Sequence, residues 1–264
     1  MPDLVRAAPA LLALVALFGG ALAGAVRRSL WTPVGGLDTG PWRGVLADPA
    51  LVDALRFSLA VTALATVVAA LAAIPIAAVL RRHLVARTAF ALPVLVPHLV
   101  IAVAAVAWLG PGGLAERLLG ELPLDLIRDR AGLGIVLVYV YKEVPFLVLL
   151  VVAAWDRHTL DREEAAAALG ASRVQRFRWV VWPAVRAPLA TGSLVVAAYV
   201  LGAFEVPLMV GPTYPPTLAT LAHEHTQAAD LAGVSRAAAV LVLATGLTLA
   251  LAIPAARAAR SRDA

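Results

Sequence analysis

Six stretches of the chain run for close to a full membrane thickness with few charged side chains, and shorter segments rich in Arg, Asp, Gly and Pro separate them. They are Pro9–Val26, Phe57–Leu80, Ala89–Leu109, Leu133–Ala154, Leu189–Val210 and Ala237–Ala256. A helix of about 20 apolar residues matches the roughly 30 Å hydrocarbon core of a bilayer. Unpaired backbone amides are costly in lipid, so runs of this length predict helices. Their continuous apolarity lacks the alternation of a membrane β-barrel. The pattern predicts an all-α, polytopic membrane protein with six transmembrane helices, and residues 1–264 read as a single membrane domain.

Composition sharpens this. Of 264 residues, 61% are hydrophobic and 15% charged, whereas a soluble domain carries about 25% charged residues. A water-soluble interior of this size cannot hide so much apolar surface. Soluble enzymes, disordered chains and nucleic-acid binders are set aside, and the surrounding partner is membrane lipid. The net charge of +5 is spread over several loops. The absence of cysteine excludes disulfides, thiolate zinc sites and thiol nucleophiles. Lys142 is the one lysine, and it follows Tyr141 inside an apolar run. A phosphate-binding loop needs its lysine after glycine, so ATP use through such a loop belongs to a partner, and no cofactor is expected on this chain.

Six spans put both termini on one side. The N-terminal tail, residues 81–88, residues 155–188 and the tail after Ala256 hold 13 Arg, against 8 in the longer opposite set. The positive-inside rule then places both termini and the 155–188 loop in the cytoplasm, although Arg27 and Arg28 argue the other way. The first span has two readings. Arg6 and Ala21-Leu22-Ala23 resemble a signal peptide with its cleavage site, but the apolar run exceeds the roughly 7–15 residues of a signal core. A retained helix is favoured.

Residues 155–188 carry more than hydropathy. Asp161 and Glu164 have the spacing of a capping box, and helix-favouring Ala165-Ala166-Ala167-Ala168-Leu169 follow. Gly170 stands where a left-handed helix end wants a residue without Cβ. Ser172-Arg173-Val174-Gln175 is a second box, opening a helix that Pro183 and Pro188 punctuate. Val174, Phe177 and Val181 give that helix one apolar stripe. Two short helices hinged at a glycine make a knob at the membrane face. By physics alone, such a knob suits anionic headgroups as well as a protein partner.

The run Glu164-Ala165-Ala166-x-x-x-Gly170, nine residues, then Val180-x-Trp182-Pro183 resembles the EAA loop of ABC importer permeases. Val180 stands for the usual Ile and Trp182 for the usual Leu. The resemblance extends over residues 57–256, a five-span core with one additional N-terminal helix. It implies an inner-membrane permease subunit of a binding-protein-dependent importer. Its partners would be a second permease subunit, a cytoplasmic pair of ABC ATPases and an extracytoplasmic substrate-binding protein. Glu164, Ala165, Ala166, Gly170, Ser172 and Pro183 would form the ATPase-coupling element, with Glu164 at the mouth of the contact and the alanines permitting close approach.

Three charges lie inside the predicted spans: Lys142, Glu143 and Glu205. A charge at the bilayer centre costs roughly 2.5–3.5 kcal/mol, so each should face protein or water. Lys142 and Glu143 are sequence neighbours and point about 100° apart on a helix, which leaves Glu205 as a candidate partner for Lys142. Glu143-Val144-Pro145 repeats as Glu205-Val206-Pro207, and each Pro frees the carbonyl four residues earlier. A water-lined cation path and plain interhelical packing both fit. Tyr141 to Phe146 and Leu201 to Pro207 resemble segments of polyamine and ferric-iron or thiamine permeases, which implies a small solute such as a polyamine or another cation.

Other chemistry is thin. His98 reads as an interior histidine, and His223-Glu224-His225 lacks zinc-ligand spacing, so no metal is expected. Gly192-Ser193 is not part of a nucleophile elbow, and the chain is not expected to be an enzyme. An ion-coupled secondary transporter using Glu143, Glu205 and Lys142 is the alternative.

Overall fold

The computed structural model describes residues 2–32, 35–120 and 126–260. The C-terminal tail read above as cytoplasmic lies, from residue 261 onward, outside the described residues. The chain runs α1 (Pro2–Ser29), a two-residue antiparallel ladder of β1 (Trp31–Thr32) and β2 (Gly36–Leu37), α2 (Gly40–Ala47), α3 (Pro49–Leu80), α4 (Leu84–Leu95), α5 (His98–Leu109), α6 (Leu114–Leu119) and α7 (Leu133–Ala154). It continues as α8 (Arg157–Ala168), α9 (Arg173–Arg176), a π-helical turn over Phe177–Val181, α10 (Trp182–Gly202), α11 (Glu205–Val210), α12 (Leu218–Gln227) and α13 (Gly233–Arg260). Among the described residues, six helical stretches are long and apolar enough to cross a membrane. The fold is all-α, as the apolar pattern predicts.

Two spans depart from expectation, both at proline. The helix expected over 89–109 is two helices, α4 and α5. Pro97 disfavours helical conformation at the residue before it, and Val96 is extended with ψ 131°. The candidate crossing is His98–Leu119, with Leu84–Leu95 a shorter apolar helix before it. The helix expected over 189–210 is also broken. It starts far earlier, as one helical run over Arg173–Gly202, and stops at Ala203, which is extended with ψ 143°. Pro207 cannot donate to the Ala203 carbonyl, and it sits in the first turn of α11, where amide donors have no helical partner anyway. Pro183 and Pro188 do not end the loop helix. The run passes through both, Pro183 lying in the first turn of α10 directly after the π turn, where the hydrogen-bond register has already shifted.

The described chain divides into two compact units, residues 1–56 with 216–247, and residues 57–215 with 248–264. In the first, Val45, Leu51 and Ala54 pack with Leu218, Leu221, Ala239 and Val240. The Trp42 indole donates to Ser29 Oγ at 3.0 Å. In the second, α3 buries Val61, Ala65, Ala69, Ala73 and Ala77, one small side chain per turn along a single stripe. Small stripes let backbones approach closely where lipid supplies no hydrophobic drive. The most enclosed helix is α7, with Ile135, Tyr139, Leu147, Val148 and Val151 buried. Gly192 of α10 faces it so closely that an added Cβ would collide with Leu147 and Leu150. That packing requirement accounts for the glycine at 192.

Candidate coupling loop and membrane-embedded charges

The loop knob is built by backbone rules. Asp156 caps α8, accepting from Thr159 N and Thr159 Oγ1, each at 2.9 Å. The expected cap at Asp161 is therefore corrected: the helix starts a turn earlier because Asp156 already satisfies a first-turn amide, and Asp161 lies within it. The Thr159 backbone hydrogen bond, then that of its hydroxyl, hold the Asp156 carboxyl below the usual range. At the other end, Gly170 has φ +86°. Gly170 N donates to Ala167 O and Ala171 N to Ala166 O, both at 3.0 Å. This is the Schellman closure of a helix end. A Cβ at 170 would meet open space, so the left-handed φ alone selects glycine. Ser172 then forms the expected capping box: Gln175 N donates to Ser172 Oγ at 3.3 Å, and Ser172 N to Gln175 Oε1 at 2.8 Å.

Glu164 and Ala165 are exposed and Ala166 is half-buried. Leu169 is 89% exposed and Val174 74%, so apolar side chains stand outward on both arms of the knob. The neighbouring Glu163 turns inward. Its carboxylate accepts from Arg81 Nη1 at 2.8 Å and from the Trp155 indole at 3.3 Å, with Arg176 at 3.9 Å. The Arg81 guanidinium also lies 4.0 Å above the Trp155 ring. Burial pushes the Glu163 carboxyl up, but the hydrogen bond and charge of Arg81 outweigh it and hold the group below the usual glutamate range. This cluster ties the knob to the end of α3. Sequence reasoning passed over Glu163, whose signal was its place four residues after the buried Thr159 on one helix face.

The charges inside the spans have partners the sequence did not name. Lys142 and Glu143 are both buried. Lys142 Nζ donates to the carbonyls of Pro93 at 2.6 Å and Val94 at 2.9 Å, the last turn of α4. Those carbonyls are what a helix C-terminus leaves unsatisfied, and a cation there suits the helix dipole. Glu143 Oε1 lies 2.9 Å from Nε2 of His98, the first residue of α5. The two neighbouring side chains thus hold the two sides of the Val96-Pro97 break. Their divergence on α7, which rules out a mutual pair, is what permits this. The candidate Glu205 partner for Lys142 is replaced by these carbonyls. Glu205 opens α11, which packs on α5 and α7, and is exposed. His98 also stacks against Tyr199 at 4.5 Å, with Tyr139 6.4 Å from both rings.

The family described as binding-protein-dependent transport system inner membrane component matches residues 65–260. The chain belongs to that family. It is accordingly a multi-pass inner-membrane transport component and not an enzyme. This family member is 30% identical over 196 residues to the inner membrane ABC transporter permease protein YnjC of Escherichia coli K12, covering 72% of this chain and 38% of that protein. It is 31% identical over 187 residues to YdcU of the same organism, covering 63% of this chain and 60% of that one. The chain thus spans less than two thirds of either relative. Its fold matches a crystal structure of a bacterial ABC transporter that imports the acidic polysaccharide alginate, with TM-score 0.75, 16% identity and 98% of each chain covered.

Proposed function

We propose that this chain is the permease subunit of an ABC importer, lining the substrate path while separate ATPase subunits use the ATP. The knob formed by α8, Gly170 and α9 is the docking element. The observation that carries this reading is the shape of that element. Its ends are closed by a Schellman turn and a capping box, and Glu164, Leu169 and Val174 stand outward. A rigid, partly apolar protrusion at a span end is suited to a groove on another protein. The knob and both termini lie on the cytoplasmic side in this account, a second permease subunit completes the path, and a binding protein delivers substrate to the opposite face.

The solute we propose is a small cation such as a polyamine, taken along a path that includes Glu205, whereas Lys142 and Glu143, buried and engaged across the helix break, are left to hold that break rather than to line the path. The exposed Glu205 carboxylate on α11 supports this, as does the exposed Tyr199 ring beside His98, since aromatic faces attract cations. The ion-coupled alternative has less support, because Lys142 and Glu143 are already engaged across the helix break. Gradient-driven uptake into vesicles without any ATPase would be required by that alternative.

The test is Gly170→Val. A β-branched residue at this φ costs about 1–2 kcal/mol and reshapes the turn, while insertion depends on the spans and should persist. Co-purification of the ATPase should fall at least tenfold at equal permease yield. Undiminished ATPase recovery would exclude the docking role.

A further inference from the structure

Beside the knob lies a pocket of about 410 Å³, lined by Arg81, Arg82, Arg173, Arg176, Glu163 and Trp155 among others. We propose that it binds a phosphate group, that of an anionic phospholipid headgroup at the membrane face. Four guanidinium groups face one carboxylate there, so the lining carries an excess of positive charge even with Arg81 engaged by Glu163. Arg82 and Arg173 are exposed members of the lining. Arg176 Nε is buried without a hydrogen-bond acceptor, a donor left for a ligand oxygen. Guanidinium donors match phosphate geometry, often two bonds at a time. The volume lies in the roughly 300–1,000 Å³ range of small-molecule sites.

The position favours a lipid as the source. Arg81 and Arg82 follow the end of α3, Trp155 follows the end of α7, and Arg173 and Arg176 open the Arg173–Gly202 run. Three helical stretches long and apolar enough to cross a membrane therefore end at this pocket. Trp155 is the residue type enriched at the membrane–water boundary, and basic pockets between span ends suit anionic headgroups. A bound headgroup would join the same α3–α8 contact that Arg81 and Glu163 make.

The experiment titrates the purified full chain in detergent with dihexanoyl phosphatidylglycerol, dihexanoyl phosphatidylcholine or inorganic phosphate, followed by calorimetry. Phosphatidylglycerol should bind saturably and more tightly than phosphatidylcholine. Arg82→Gln with Arg173→Gln should weaken it roughly thirtyfold, the effect of two surface arginines on an anionic lipid. Both side chains are exposed, so the double variant should fold. Glu163→Gln, which removes the only carboxylate named in the lining, should not weaken binding. Inorganic phosphate binding as tightly as phosphatidylglycerol, with the same loss in the double variant, supports the phosphate site with a free anion as its source. Equal binding of the two lipids, or phosphatidylglycerol binding unmoved by the double variant, overturns the proposal. Binding of neither lipid nor phosphate also overturns it and leaves the arginines to an acidic protein partner.

Discussion

The knob at 156–176 and the break at 96–98 both interrupt helix, yet they are held by different means. The knob is closed by residues within a few positions of one another: Asp156 with Thr159, Ala166 and Ala167 with Ala171 and Gly170, Ser172 with Gln175. The break is held from a distance, by Lys142 and Glu143 reaching residues 45 or more positions away. A locally closed feature keeps its shape when one contact is lost. A remotely clamped one leaves unsatisfied groups behind in an apolar interior. Apart from Glu163, which is itself held from a distance by Arg81, the knob should therefore lose function with little loss of stability on single substitution, while the clamp should lose stability first.

The largest effect is expected at Lys142. Lys142→Met strips the Pro93 and Val94 carbonyls of their donor, and hydrogen bonds to a charged group contribute about 1.5–3 kcal/mol, more when the remaining partner is buried. Destabilisation of about 3 kcal/mol should appear as a lower denaturation midpoint in detergent; a shift under about 0.5 kcal/mol would remove the clamp. Glu163→Gln comes next, at about 1–2 kcal/mol, since it weakens the Arg81 contact without creating a cavity. Its pH signature separates it from a packing defect. The Glu163 carboxyl is held below its ordinary value of 4.5 in the folded state. Its contribution is complete above that value and is lost as pH falls through the folded one. The wild type should lose this increment below about pH 4.5 and the variant should not.

Within the knob, Ser172→Ala should cost about 1 kcal/mol, the usual effect of losing a helix N-cap, read as a small drop in denaturation midpoint. The smallest stability effect belongs to Glu164→Gln, within about 0.5 kcal/mol because the side chain is exposed. ATPase affinity should nevertheless fall severalfold. Unchanged affinity would move the docking contact away from Glu164.

The same contrast explains what the sequence disclosed. Gly170 and the Ser172–Gln175 box were legible because glycine at a left-handed position and a capping box are short-range rules. Four of the six crossings were legible in place from hydropathy, with α7 matched at both ends, and the fifth was shifted toward the loop because its helix runs from Arg173 and breaks at Ala203. The third was displaced, because the apolar run from 89 to 109 conceals the interruption that Pro97 makes at Val96. The early start of α8 was missed because Asp156 and Asp161 are both acceptable caps, and only the fold chooses. Glu163 was missed for a different reason: its partners Arg81, just past the end of α3, and Arg176, on α9, lie on other elements, and one sequence carries no record of that meeting. The partners of Lys142 are backbone carbonyls, which no residue pattern can announce.

The central claim is that the knob docks a separate ATPase on the cytoplasmic side. The chain has no cysteine, so Leu169→Cys places a single thiol at the most exposed apolar point of the knob. Membrane vesicles carrying this variant with its ATPase should give a cross-link between the two chains when a maleimide–succinimidyl reagent joins the thiol to an ATPase lysine, and without the ATPase an impermeant maleimide should reach the thiol only from the cytoplasmic face. Labelling from the opposite face alone, with no cross-link to the ATPase, would contradict it.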